Sequence, residues 1–176
     1  MKKNSQEIFD EIKADWDSKF LSSKNLLASV CRSKDLGSLD IITKDISSKL
    51  DLKENDIFLE VGCGTGVLLS KLSEIPKESY GLDYSNEAIN TARLEFPNVK
   101  FFISDAAKLP FEDEKFSKLL CYSVFHYFAD MDYAFQVIDE FLRVSKKGST
   151  ILIGDLLSER HFHLSPYYKK FNLKYF

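Results

Sequence analysis

The sequence predicts an α/β protein, a three-layer α/β/α sandwich around a mostly parallel sheet. From residue 57 onward, short and almost uninterrupted apolar runs recur, as strands buried on both faces require. Each run leads into a segment with helical spacing of apolar residues, and parallel strands need such crossovers. The length, 176 residues, suits a single domain.

The elements follow in order. Within residues 1–36, Ile8, Ile12 and Trp16, flanked by Phe9 and Phe20, repeat at helical spacing and give one apolar face. Ser22, Ser23, Lys24 and Asn25 interrupt it, and Leu26, Leu27 and Val30 resume as a second helical piece. Gly37 and Ser38 then punctuate the chain, with Ser38 read as the N-cap of a helix carrying Leu39, Ile42, Ile46 and Leu50. The first strand is 57–61, ending in glycines, followed by a short helix 67–72 stopped near Pro76. Residues 80–83 form the second strand, and 86–94 a helix capped by Ser85 and closed by Pro97. The third strand is 99–103 and the fourth 118–122. A helix over 132–144 carries Ala134, Val137, Ile138, Phe141 and Leu142 on one side, and Lys146-Lys147-Gly148 reads as its C-terminal stop. Residues 150–153 make the fifth strand. The organisation is therefore an N-terminal helical lid (1–36), a core (37–155) and an aromatic tail (156–176) containing Phe162, Tyr167, Tyr168, Phe171, Tyr175 and Phe176.

Composition narrows the function classes. Apolar residues make up 44% of the chain, with 15 Phe and 8 Tyr, which supplies a full core. Lys and Arg total 24 against 27 Asp and Glu, so there is no basic excess of the kind nucleic-acid binders carry, and no nucleic-acid partner is expected. No apolar run reaches the length of a membrane span, and the N-terminus lacks a signal-peptide apolar segment; a cytoplasmic protein without a membrane partner is expected. Cys31, Cys63 and Cys121 are odd in number and widely separated, and His126, His161 and His163 form no ligand spacing, so neither disulfides nor a metal site are expected. Lys169, Lys170 and Lys174 read as a solvated face.

The most informative stretch is Glu60-Val61-Gly62-Cys63-Gly64-Thr65-Gly66. A strand runs into three alternating glycines and then a helix, a geometry that lets backbone lie close to a ligand and turns helix N–H groups toward it. The dinucleotide fingerprint G-x-G-x-x-G would place its last glycine where Val67 stands, and no phosphate-loop lysine follows. A glutamate directly before the glycines repels a pyrophosphate and suits a cationic ligand.

This stretch resembles the first motif of the class I S-adenosylmethionine-dependent methyltransferases, and further matches follow in order. Gly81-Leu82-Asp83-Tyr84-Ser85 resembles the end of that family's second strand, Ser104-Asp105-Ala106-Ala107-Lys108-Leu109-Pro110-Phe111 its adenine loop, and the segments 116–128 and 142–153 its fourth and fifth strands. The resemblance covers about residues 39–155 and implies a Rossmann-like fold with S-adenosylmethionine as cofactor. It implies that Asp83 accepts the ribose hydroxyls in charge-assisted bonds, against an alternative role as helix cap. It implies that Asp105 accepts from the adenine amino group while the Ala106 N–H donates to the ring, against a plain turn aspartate. Glu60 is expected near the cationic methionine end, and Gly62, Cys63, Gly64, Gly66, Tyr84 and Tyr122 complete the cofactor set.

Two local departures touch the subfamily rather than the class: Ser117 follows Phe116 where many members have aspartate, and Ser149 follows Gly148 where many have a second glycine. The family's sheet has seven strands, and residues 155–176 leave little room for the last two, so the chain is read as a fragment or a short form. The tail is expected to pack on the sheet or on a second copy of the chain, giving a homodimer.

Transfer of a methyl group to a small-molecule acceptor, as O- or N-methylation, is the leading function. His126, just past the fourth strand, is the candidate general base where the acceptor needs one, with a packing role as the competing reading; Tyr122 and Tyr127 line the site beside it. His161 and His163 read as loop histidines. The alternatives are a non-catalytic S-adenosylmethionine-binding module and a nicotinamide-dependent oxidoreductase, the latter disfavoured by Val67 and Glu60.

Overall fold

A computed structural model describes residues 5–22, 36–128 and 130–156. Helix α1 (Ser5–Ser22) and α2 (Leu36–Leu50) precede β1 (Ile57–Val61), α3 (Val67–Leu72), β2 (Glu78–Asp83), α4 (Asn86–Glu95), β3 (Lys100–Ile103), β4 (Phe116–Tyr122), a 3-10 turn (Phe125–Tyr127), α5 (Met131–Val144) and β5 (Ser145–Gly154). The five strands form one sheet in the order β3-β2-β1-β4-β5. All four pairings are parallel. The chain moves outward from β1 through β2 to β3, then crosses back to place β4 on the other side of β1. That reversal opens a crevice at the carboxyl ends of β1 and β4.

Alternation along the strands fills two cores, as a sheet covered on both faces requires. Phe58 and Leu120 face a cluster with Leu39, Ile46 and Leu50 of α2, Leu69 and Leu72 of α3, and Ile89 of α4. Leu59, Leu119 and Cys121 face the opposite cluster with Val137 and Phe141 of α5. In that second cluster Phe111 meets Phe102 and Phe116 edge-on, each at 5.0 Å between ring centroids.

Helix ends follow local chemistry where the expected cap is present. Ser85 accepts the Ala88 N–H and starts α4, and Asp130 accepts the Tyr133 N–H at 2.8 Å and starts α5. Two expectations are corrected. Ser38 is not an N-cap, because α2 already begins at Leu36 and Ser38 lies in its first turn. Lys146-Lys147-Gly148 does not extend or cap a helix: α5 ends at Val144 and the chain passes directly into β5 at an extended Ser145. Pairing with β4 skips between Phe116↔Ser145 and Lys118↔Thr150, and Gly148 takes φ +80° within that irregularity, which left-handed backbone at a bulge favours.

Ser117, one of the two departures, ties the entry of two strands together. It donates to Asp56 at 2.7 Å and accepts the Ile57 N–H at 3.0 Å. Among the described residues, no helix is long and apolar enough to cross a membrane. The second helical piece of 1–36, Cys31, His161, His163, the tail lysines and the rest of the aromatic tail expected at a dimer contact lie outside the described residues.

Candidate functional site

A cavity of about 420 Å³ lies at the carboxyl ends of β1, β2 and β4, roofed by α1. Its floor is the glycine turn. Gly62, Gly64 and Gly66 all adopt positive φ. Gly62 has a steric reason as well: a Cβ there would stand 2.3 Å from Val124 Cγ2, across the cavity wall. The turn is pinned to β2, with the Gly62 and Cys63 amides both donating to the Leu82 carbonyl, at 2.7 and 3.0 Å.

Asp83 closes that connection. One carboxylate oxygen accepts the Gly64 N–H and the other accepts the Ser85 N–H, each at 2.9 Å. The residue is buried and forms part of the cavity wall. Burial pushes its carboxyl above the ordinary range, the Ser85 and Gly64 amides pull it back, and the nearby Asp17 carboxylate of α1 adds to the upward push. Ser85, not Asp83, caps α4, so the capping alternative for Asp83 does not describe it.

Glu60 stands one residue before the turn, 2% exposed, with Oε2 unpartnered among the described residues. Burial, and then the Asp83 carboxylate, push its pKa up to about 8. It lies behind the turn rather than in the cavity wall. Cys63 also turns inward: it packs with Leu39 and Phe58 in the α2 side of the core, and burial raises its thiol well above the ordinary range. Gly66 sits at the N-cap of α3, behind the wall, while Gly62 and Gly64 line it.

Of the adenine-loop residues, Ser104 and Ala106 line the cavity. Asp105 folds back as a turn aspartate: its Oδ1 accepts the Ala107 N–H at 2.8 Å and the Tyr133 hydroxyl at 2.5 Å. Tyr133 itself lines the cavity, and its hydroxyl is pushed upward by burial and by the adjoining Asp105 carboxylate. Tyr84 and Tyr122 also line it.

After β4, Ser123 takes φ +63°, an uncommon conformation for serine, and turns the chain along the cavity. Ser123, Val124, Tyr127 and Phe128 contribute to the wall. His126 does not. The 3-10 turn carries it inward to 9% exposure, with its ring centroid 4.1 Å from that of Tyr127. The packing role describes His126 as it stands.

Helix α1 lies along one side of the cavity. Phe9, Ile12, Trp16 and Phe20 of its apolar face line the cavity, together with Lys19. Phe9 meets Tyr84 at 5.5 Å and Tyr133 at 6.0 Å, whereas Trp16 meets Tyr127 edge-on at 5.4 Å. Asp17 accepts a short hydrogen bond from the Ser85 hydroxyl, anchoring α1 to the start of α4. Tyr133, Ser123, Ser104 and Lys19 are wall residues that sequence reading missed. Ser104 opens the adenine-loop segment and Ser123 lies within 116–128, whereas Tyr133 and Lys19 sit in no motif and long-range packing brings them there.

The arrangement fits a nucleoside with a cationic appendage. A buried carboxylate at the strand end faces the cavity, and an orphaned acidic oxygen waits behind the turn. Among the described residues no group of three or more His, Cys, Asp or Glu is placed to hold a metal ion.

Comparison with known proteins agrees. Residues 52–172 match the family model described as a methyltransferase domain. An uncharacterized methyltransferase-like protein of Schizosaccharomyces pombe is 34% identical over 111 residues, spanning 62% of this chain and 42% of that protein. The demethylmenaquinone methyltransferase of Chlorobaculum parvum is 30% identical over 137 residues, 77% of this chain and 54% of the relative. The chain thus spans about half the length of the curated relatives it matches. Among solved structures, Haemonchus contortus phosphoethanolamine N-methyltransferase 1, in complex with phosphoethanolamine and S-adenosylhomocysteine, shares the fold at a TM-score of 0.74 and 18% identity, over 86% of this chain and 33% of that one. The [4+2]-cyclase SpnF shares it at 0.68 and 21% identity, over 86% and 60%. Since that family model spans more than half of the sequence, the chain belongs to the methyltransferase-domain family.

Proposed function

We infer that the cavity under α1 binds S-adenosylmethionine and that the chain transfers its methyl group to a small-molecule acceptor. The observation that carries this is Asp83: a buried carboxylate, costly to keep charged, held at the end of β2 against the glycine turn and facing a cavity large enough for a nucleoside. Asp83 would hold the ribose hydroxyls, Tyr84 and Ala106 would flank the base, and the backbone of Gly62 and Gly64 would lie along the methionine portion, with Glu60 offsetting its positive charge from behind. When bound, the cofactor supplies a methyl carbon already activated by its sulfonium. The chain's own task is to align, and alignment of this kind is worth ~7–11 kcal/mol. The lid excludes water from the reacting centre.

The same fold carries a cyclase, so the fold alone does not fix the reaction. Calorimetry with S-adenosylmethionine, S-adenosylhomocysteine and NAD tests the ligand class; tight NAD binding without either sulfur compound overturns the reading. Transfer of labelled methyl to a panel of small acceptors separates an enzyme from a binding module.

A further inference from the structure

We propose that Tyr133 reads the exocyclic amino group of the bound base: its hydroxyl gives its one proton to Asp105 and presents its oxygen, as an obligate acceptor, to an N–H donor on the ligand. The inference rests on the cofactor reading above and deepens it. It names the base that the site selects, a 6-aminopurine over a 6-oxopurine, and it moves the selecting atom from the aspartate of the adenine loop to a side chain of α5.

The placement of three residues carries it. Ser104 and Ala106, on either side of Asp105 in the loop after β3, line the cavity, and so does Tyr133 from α5, whereas Asp105 stands behind that wall. Asp105 Oδ1 is engaged twice, by the Ala107 N–H at 2.8 Å and by the Tyr133 hydroxyl at 2.5 Å. The carboxylate therefore meets the cavity through the phenol. The phenol ring is itself held, edge-on to Phe128 at 5.0 Å and tilted against Phe9 at 6.0 Å.

A tyrosine hydroxyl has one proton to give and lone pairs with which to accept. Burial, and then the hydrogen bond and charge of Asp105, push the Tyr133 pKa well above its ordinary value, so the proton stays on the phenol oxygen and points at the carboxylate; the Ala107 N–H pulls the other way with less effect. What is left to that oxygen is acceptance. Donating to a carboxylate polarises the hydroxyl and strengthens it as an acceptor. Such an atom bonds an amino N–H and repels a carbonyl oxygen, and a site that commits a polar atom in this way rejects the analogue that cannot satisfy it. Tyr133 touches the base, and Asp105 is a positioning residue that acts through it.

Calorimetry tests this with S-adenosylhomocysteine, its 6-deamino analogue (hydrogen in place of the amino group) and S-inosylhomocysteine, on the parent, Tyr133→Phe and Asp105→Asn, each checked by a cooperative melt. The parent is expected to bind the three in that order of affinity, with about tenfold between the first two. Tyr133→Phe keeps the ring contacts and is expected to weaken S-adenosylhomocysteine about tenfold while leaving the deamino analogue nearly unchanged, which erases the preference. A packing defect would instead weaken both alike. Asp105→Asn is expected to keep the preference, because its carbonyl oxygen still accepts the phenol proton. An aspartate that read the base directly would lose it, because the amide NH₂ would then face the amino group. A preference that survives Tyr133→Phe or disappears in Asp105→Asn overturns the proposal, as does a parent that binds either analogue as tightly as S-adenosylhomocysteine. If Tyr133→Phe does not melt cooperatively, Asp105→Asn decides. Those outcomes leave the cofactor reading standing, whereas a parent that binds none of the three compounds overturns that reading and this proposal together.

Discussion

Asp83 accepts the Gly64 amide at 2.9 Å, so the residue expected to read the ribose also braces the glycine turn on which the cofactor would lie. Its second oxygen accepts from Ser85, the cap of α4, so one carboxylate joins β2, the turn after β1 and the start of α4. Burial raises its pKa, so at neutral pH its charge costs stability rather than supplying it. Asp83→Asn removes that cost but sets an amide NH₂ against a backbone N–H. The two nearly cancel, and the unfolding free energy in urea is expected to stay within about 1 kcal/mol of the parent. Calorimetry with S-adenosylhomocysteine is expected to show a loss of about 1.5–3 kcal/mol, the value of a hydrogen bond to a charged group. Undiminished affinity in the folded variant would remove Asp83 from the site.

Gly62 and Val124 give a second test. A methyl group at residue 62 would meet Val124 Cγ2 at 2.3 Å and would have to adopt φ +76°. Gly62→Ala is expected to cost about 2–4 kcal/mol in chemical denaturation, part clash and part strain. Adding Val124→Ala removes the clash and leaves the strain, so the double variant should recover about half of the loss beyond what Val124→Ala costs alone. Strict additivity of the two substitutions would show that they do not meet.

Much of the fold was legible because local and tertiary signals agree. Alternating glycines after an apolar run can hardly serve anything but a strand–turn–helix close to a ligand, and Ser85 before Asn86 caps a helix wherever the helix packs. The misreadings fall where one local signal serves two structures. Lys146-Lys147-Gly148 carries the marks of a helix stop, yet pairing with β4 draws these residues into β5, and the left-handed glycine serves a bulge instead. His126 stands at the crevice end of β4 in sequence, but the left-handed Ser123 and the following 3-10 turn rotate it inward and bring Tyr127 to the wall. Cys63 shares the turn with the ligand-facing glycines and points the other way. The contribution of Tyr133 depends on packing of α5 over the loop after β3, a contact between residues 28 apart that no periodicity records.

Glu60 makes stability depend on pH in a direction opposite to most carboxylates. Its ordinary pKa is 4.5 and its folded value about 8. The folded state therefore holds the proton more tightly. The stability this confers is complete below the unfolded value and is lost as pH rises from 4.5 to about 8. Glu60→Gln matches the protonated form in shape and does not titrate. Near pH 5 the two proteins should melt alike; at pH 8.5 the variant is expected to be more stable by at least about 1 kcal/mol. Bound S-adenosylmethionine, bringing positive charge to the far side of the turn, should reduce the gap and release protons on binding, measurable by calorimetry in buffers of different ionisation enthalpy. A parent and variant that melt in parallel across this range would show that Glu60 does not titrate there.

Arg143 clamps the loop that leads away from the adenine segment. Its guanidinium donates to the Phe111 carbonyl at 2.8 Å and the Leu109 carbonyl at 3.0 Å, and it pairs with Glu140 at 2.7 Å. Glu140 in turn accepts the Leu109 N–H at 2.7 Å, so two residues one helical turn apart on α5 satisfy both backbone groups of Leu109. The exposed pair with Asp113 adds little, since its carboxylate is solvated. The value of the clamp lies in the planar fork, which reaches two carbonyls and a carboxylate at once. A lysine carries the same charge but presents a single point of donation, so Arg143→Lys is expected to lose nearly as much as Arg143→Ala, about 1–3 kcal/mol in urea melts. Hydrogen exchange at the Leu109 amide should accelerate in both variants, while the amide of Leu119 in the central β4 stays protected until global unfolding. Full rescue by lysine would assign the effect to charge and refute the clamp.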